Sequence, residues 1–162
     1  MGVFSEGIEK SNERAKRNMH LIFFDAVQTT FTQATRRQPS VKETGGSFEV
    51  GKVPVDTGFL IGTSEFRING AMVSSGVTAI KTAEGSTIDN STPPDIGAGL
   101  LQAKIEDAVS IVFTAPYSRR IEYGFHGQDS KGRSYSVSGR LYITTAAANW
   151  PDNVQESIRK FS

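Results

Sequence analysis

The sequence predicts an α+β domain, a small, mainly antiparallel sheet packed against a long N-terminal helix and a C-terminal helix. Three observations carry the prediction. A helical apolar stripe fills residues 4–36, short apolar runs separated by turn signals fill the middle, and a second helical stripe closes the chain. The length of 162 residues suits one domain, here 1–162. A chain of this size buries about 70% of its unfolded surface and folds to about 8,000 Å².

Each element has its own signal. In the first helix Ile8, Ala15, Met19, Ile22 and Ala26 form one stripe, with Phe23, Val27, Phe31 and Ala34 beside it. Glu9, Lys10, Glu13, Lys16, Arg17 and Gln28 take the opposite face. Arg36 and Arg37 suit the negative end of the helix dipole, and Pro39 stops the segment. At 1.5 Å per residue this helix runs about 45–50 Å. A domain of this size has a radius of gyration of about 15 Å. One end is therefore expected to overhang or to meet a neighbouring subunit. The apolar face of Phe23, Phe24, Val27 and Phe31 is expected to be too wide for one chain to cover.

The sheet is predicted at about 47–123, from strands Ser47–Val50, Ser64–Asn69, Ala71–Val77 and Val109–Thr114. Phe66 and Ile68 alternate with Glu65 and Arg67 as in a half-buried strand. Asn69-Gly70 is a strong hairpin signal. Residues 38–46 and the polar stretch 81–94 are expected to be loops. Asp95 is placed to cap a short helix running to about Lys104. Residues 124–139 carry four glycines and are expected to form a second mobile loop. Leu141, Ile143, Ala147, Trp150, Val154 and Ile158 line the last helix, at about 140–161, which Pro151 kinks or restarts.

Composition removes several classes of function. With no cysteine there is no disulfide, thiol nucleophile or Cys-ligated zinc. A net charge of +1 gives no overall pull toward nucleic acid or anionic membrane. No apolar run reaches the roughly 18 residues needed to span a bilayer. The start lacks a signal-peptide core, so a cytoplasmic site of synthesis is expected. Gly46 to Lys52 imitates a phosphate loop, but Val53 stands where a hydroxyl is needed, and Pro54 follows instead of a helix. Alternation of Phe48 and Val50 with Glu49 argues for a strand there. His20 lies beside the helix stripe and is read as a flank or interface residue. Glu106, Asp107, Asp89 and Asp95 are read as capping or solvated carboxylates. No G-x-S-x-G elbow or serine–histidine pairing is evident.

Two other chemistries remain open. Glu122 and His126 are four residues apart, with Asp129 as a third candidate for a metal-dependent hydrolase. Between Arg119 and Arg140 stand five cations (Arg119, Arg120, Lys131, Arg133, Arg140). Tyr117, Tyr123, Phe125, Tyr135 and Tyr142 are interleaved. Such a mixture can stack on single-stranded nucleic acid, making 117–142 the alternative binding module. Arg and Tyr are equally the residues of protein interfaces, the preferred reading for a chain that is not basic overall.

Two stretches carry a family resemblance. They are Pro54-Val-Asp-Thr-Gly-Phe-Leu-Ile-Gly-Thr-Ser64 and Ala115-Pro-Tyr-Ser-Arg-Arg-Ile-Glu-Tyr-Gly124. Their order and spacing, after a long helix and before a closing helix, resemble the tail-completion and neck proteins of tailed bacteriophages, the HK97 gp10-like group of minor tail components. The resemblance implies a virion structural protein that is not an enzyme and needs no cofactor or metal. It implies a homo-oligomeric ring, a hexamer or alternatively a dodecamer, at the head–tail junction. Its partners would be the connector or adaptor and the tail-terminator or tail-tube proteins, with DNA as passing cargo and no membrane. The structural and interface positions implied are Asp56, Thr57, Gly58, Leu60, Tyr117, Arg119, Arg120, Glu122, Tyr123 and Gly124. Asp56 can form an Asx turn and Gly58 can take a positive φ. Tyr117 offers a large anchor, and Glu122 is a candidate partner for Arg119, Arg120 or an arginine of the next subunit. Phe59, where the family often has a basic residue, and Pro151 depart from the pattern. A ring of this kind is expected to have a neutral or acidic lumen, with the 119–140 cations facing protein. The 81–94 and 124–139 loops are expected to contact neighbouring ring proteins.

Overall fold

A computed structural model describes residues 3–38, 45, 48–55, 58–78, 80, 81, 87, 88 and 91–162. The first helix, α1, covers Val3–Ala34. Two two-residue strands, β1 (Arg37–Gln38) and β2 (Val53–Pro54), pair in parallel. A single helical turn, α2 (Phe59–Gly62), leads into β3 (Ser64–Ile68) and β4 (Ala71–Ser75). A small antiparallel pair, β5 (Ile80–Lys81) and β6 (Thr87–Ile88), precedes α3 (Ile96–Leu100) and β7 (Val109–Phe113). Then come α4 (Ser118–Tyr123), a hairpin of β8 (Gly124–Gln128) and β9 (Ser134–Ser138), and the helices α5 (Tyr142–Ala148) and α6 (Trp150–Phe161).

The central sheet has the order β4-β3-β7 and is antiparallel throughout. Its Asn69-Gly70 turn has positive φ at both residues, 51° and 83°, as the alternation around it predicts. Asn69 also donates to Asp107 and accepts from the Ala108 amide, which ties the turn to the start of β7. Phe66 lies opposite Ile111 and Ile68 opposite Val109, so their side chains share one face. The other face carries the Glu65–Arg67 ion pair at 2.6 Å and an exposed Met72.

Two apolar clusters form the core. Val27, Phe66, Ile96, Leu100 and Ala103 make one, with Phe23, Phe24 and Phe31 half-buried against it. Gly99 has no Cβ because one would strike the Phe66 ring at 2.5 Å. Val53, Leu60, Ile61, Phe113, Ala115 and Tyr142 make the other. The Phe23–Phe31 face, expected to be too wide for one chain, is covered in part: Phe23, Phe24 and Phe31 stay half-buried. Val27 is fully enclosed by its own sheet and α3.

Polar groups close the contact between α1 and α6. Asn153 donates to Thr30 at 2.8 Å and to Gln33 at 3.1 Å, and accepts from Gln33 at 3.2 Å. Ser157 donates to Asp25 at 2.6 Å, and Lys160 stands 3.0 Å from the same carboxylate. Pro151 occupies the first turn of α6, where its missing N–H costs nothing, so the closing segment restarts instead of kinking. The first half of α1 differs in kind: residues 5–17 are all exposed and the helix overhangs the body. The total accessible surface, 10585 Å², exceeds the roughly 8,000 Å² of a compact chain of this mass.

Three expectations need correction. Phe48–Val50 is not a strand, and Ser47 lies outside the described residues. The Glu49 amide donates to the buried Gln38 side chain and the Gly51 amide to Arg140 O at 2.7 Å, so these amides are spent outside any strand ladder. Within 81–94, β6 returns to pair with β5, Ser91 is buried, and Thr92 bridges Val77; residues 82–86, 89 and 90 lie outside the described residues. Residues 124–139 form a two-stranded ribbon, because Tyr135 and Val137 alternate with serines and face Gly127 and Phe125.

Candidate functional site: a groove between the two motifs

The two motifs, some 60 residues apart in sequence, meet in space. Pro54, Val55, Gly58, Phe59 and Leu60 of the first line a groove of about 670 Å³ together with Tyr117 and Ile121 of the second. Val137, Ser138, Arg140 and Phe48 complete its wall. The Phe59 and Tyr117 rings stand 6.2 Å apart, and both are about 40% exposed. Thr114 donates through both its amide and its hydroxyl to Thr63 O, joining the end of the first motif to the end of β7. Gly58 has φ 72°, a conformation that begins α2 and that glycine adopts without strain. Asp56 and Thr57 lie outside the described residues.

Glu122 is not a partner of Arg119 or Arg120. It is 2% exposed and accepts from the amides of Ile143 (3.1 Å) and Thr144 (2.8 Å) and from the Thr144 hydroxyl (2.7 Å). The carboxylate thus caps the N-terminus of α5, where unpaired amides and the helix dipole favour negative charge. The turn before α5 is held as tightly. The Arg140 and Leu141 amides donate to Ile121 O and Glu122 O, and Leu141 takes φ 52°, unusual for a branched residue. Gly124 and Gly139 face each other at the root of the ribbon, where a Cβ on either would overlap the opposing backbone.

The cations around the groove find partners within the chain. Arg140 lies 3.7 Å over the Phe48 ring, and its burial lowers the proton affinity of its guanidinium. Arg120 stacks 4.6 Å over Phe125. Arg133 bonds Asp129 at 2.7 Å and stands 5.9 Å over Tyr135. Asp129, at the ribbon tip, also accepts from the amides of Arg133 and Lys131, which holds its carboxyl below the usual range. Arg119 and Tyr123 sit exposed on the outer side of α4, one helical turn apart.

The Glu122–His126–Asp129 metal arrangement is not assembled. Glu122 faces α5, while His126 is exposed on the ribbon, 3.1 Å from Ser136. Among the described residues no group of three His, Asp or Glu side chains could hold a metal ion. His20 stacks 4.1 Å from Phe24, as expected of a flank residue. Asp95 caps α3 through the Ala98 amide at 3.0 Å. Asp107 accepts from the Lys104 amide first and from Asn69 second, both of which lower its pKa. Of the phosphate-loop imitation, Gly46 and Ser47 lie outside the described residues. In the rest, Lys52 pairs with Glu49 and no helix follows.

Sequence reading named Phe48 and Arg140 but missed their pairing, and it missed Thr144. The first two meet across 92 positions and the third meets Glu122 across 22, so no local spacing announces them. No model of a known family, no curated protein and no solved structure matches this chain.

Proposed function

We propose that this chain is a structural component of a bacteriophage particle, a ring-forming protein of the neck that joins the head connector to the tail. The supporting observation is the meeting of the two motifs that carry the resemblance: they wall one groove, and Leu60 and Ile61 of the first share a core cluster with Ala115 of the second. The polar groups of the Glu122 junction are bound up in capping and turn geometry, as an architectural role requires. Around them Phe59 and Tyr117 stand partly exposed on the groove. On this reading the assembly is a homo-oligomer, a hexamer with a dodecamer as the alternative. It acts without catalysis, cofactor or metal, and its place is the virion after assembly in the host cytoplasm. Among the described residues no helix is long and apolar enough to cross a membrane.

The groove and the ribbon beside it supply two different surfaces, as a head-to-tail contact demands, and such contacts close into rings when the rotation permits. The test is the mass and symmetry of the purified full chain, by native mass spectrometry and class averages of single particles. A closed ring that Tyr117→Ala dissociates supports the reading. A chain that forms no closed assembly alone or with a connector overturns it. Loop removal needs more care than the sequence suggests. Deleting 84–92 would take out Ser91 and Thr92, which are buried or bridged to Val77.

A further inference from the structure

The overhanging half of α1 carries an apolar stripe that is exposed over residues 5–17. Ile8 and Met19 are 48% and 56% exposed, and Ala15 is exposed between them on the same stripe. The charges of this stretch are ordered. Glu6, Glu9 and Glu13 lie mostly toward the N-terminus, and Arg14, Lys16 and Arg17 follow them, with Lys10 alone out of order.

We infer that the overhang is a two-fold docking surface for a second copy of this chain, with the two α1 helices running antiparallel and crossing between residues 11 and 12. In that register residue i lies opposite residue 23 − i of the other copy. Ile8 meets Ala15. At 100° per residue Glu6, Lys10, Glu13 and Arg17 point away from the stripe, and the charges beside it are Glu9 and Lys16 on one flank and Arg14 on the other. A parallel pairing sets every charge against itself.

Glu9 and Lys16 project from the same flank of the apolar stripe at 100° per residue. They are the charges that meet across an antiparallel seam. Opposed helix dipoles add to the preference. At the crossing stand Ser11 and Asn12. Polar residues at the centre of a helical seam fix its register and limit its strength. The chain carries its own complement, which is why a second copy and not an unrelated helix is the partner. The contact is isologous and separate from the head-to-tail contact of a ring, so either can fail alone.

Sedimentation of the full chain up to about 300 µM tests the proposal, a range suited to a contact well below standard interface size. A reversible dimerisation is expected on top of any other assembly. Glu9→Lys or Lys16→Glu alone should weaken it several-fold, and the Glu9→Lys/Lys16→Glu double variant should restore it. Ile8→Asp should weaken it about tenfold or more. These positions are exposed on the overhang, so the variants are expected to fold, as circular dichroism should verify. The chain has no cysteine, so a single introduced thiol reports orientation cleanly. Ser11→Cys should oxidise to a covalent dimer and Ser5→Cys should not. A chain whose assembly the single charge reversals leave unchanged, or one in which Ser5→Cys links in preference to Ser11→Cys, overturns the proposal.

Discussion

The two halves of α1 obey different rules. From residue 20 onward the helix is held by its own chain through Val27 in the core, Asp25 against Ser157 and Lys160, and Thr30 and Gln33 against Asn153. Over residues 5–17 it is exposed throughout and carries surface pairs such as Glu13–Lys16 at 3.7 Å. The ribbon β8–β9 behaves like the overhang, exposed except near its root, where Gly124 and Phe125 are half-buried against α4. A two-stranded hairpin is marginal by itself. The body thus packs a core of its own, and the two projections stay exposed.

Substitutions can sharpen or break that contrast. The largest loss is expected from Glu122→Ala in the body, since it uncaps α5 and leaves the Ile143 and Thr144 amides without their acceptor. Urea unfolding should show about 3 kcal/mol lost. A loss below 1 kcal/mol would mean that the junction does not organise the fold. Next comes Val27→Ala, at about 2 kcal/mol, read from the same transition. Asp25→Asn should cost about 1 kcal/mol through its contacts to Ser157 and Lys160.

The Asp25 contact also sets a pH dependence. Its pKa is lowered, chiefly by the Ser157 hydrogen bond and then by Lys160. Its contribution is therefore whole above the ordinary carboxylate pKa of 3.8 and is lost as pH falls through the depressed value. Acid titration of the wild type and of Asp25→Asn should diverge above that window and converge below it.

Tyr142→Phe should move stability the other way. Tyr142 is fully buried against Phe113, and its hydroxyl has no hydrogen-bond partner among the described residues. Burial, with Glu122 nearby, pushes its pKa far above that of an ordinary phenol. Removing the oxygen should add about 1 kcal/mol in a thermal melt. The smallest effects belong to the projections: Ile8→Ala and Tyr135→Ser should change monomer stability by less than about 0.5 kcal/mol. A cost near that of Val27→Ala would erase the distinction between body and projection.

Legibility in the sequence followed the range of the interaction. Asn69-Gly70, the Asp95 cap and the restart at Pro151 act over a few residues, and all three were readable. The overhang followed from helix length alone. The ribbon was misread because Gly124, Gly127 and Gly132 outweighed the serine alternation around Tyr135 and Val137. Glu122 was singled out but given the wrong partner, because its true one begins 21 residues later. The parallel pairing of Arg37–Gln38 with Val53–Pro54 has no local signature at all.

The length of α1 has one more consequence. A continuous helix of 32 residues is a rod of about 48 Å that rotates 100° with each residue. It therefore fixes both a spacing and a compass bearing for whatever grips its far end. Excising seven residues from the exposed stretch would bring that end about 10 Å nearer while leaving its bearing almost unchanged. Excising two would shorten it by only about 3 Å but swing it through roughly 200°. A protein that uses α1 only as a tether would tolerate both changes, and one that uses it as a ruler would tolerate neither equally.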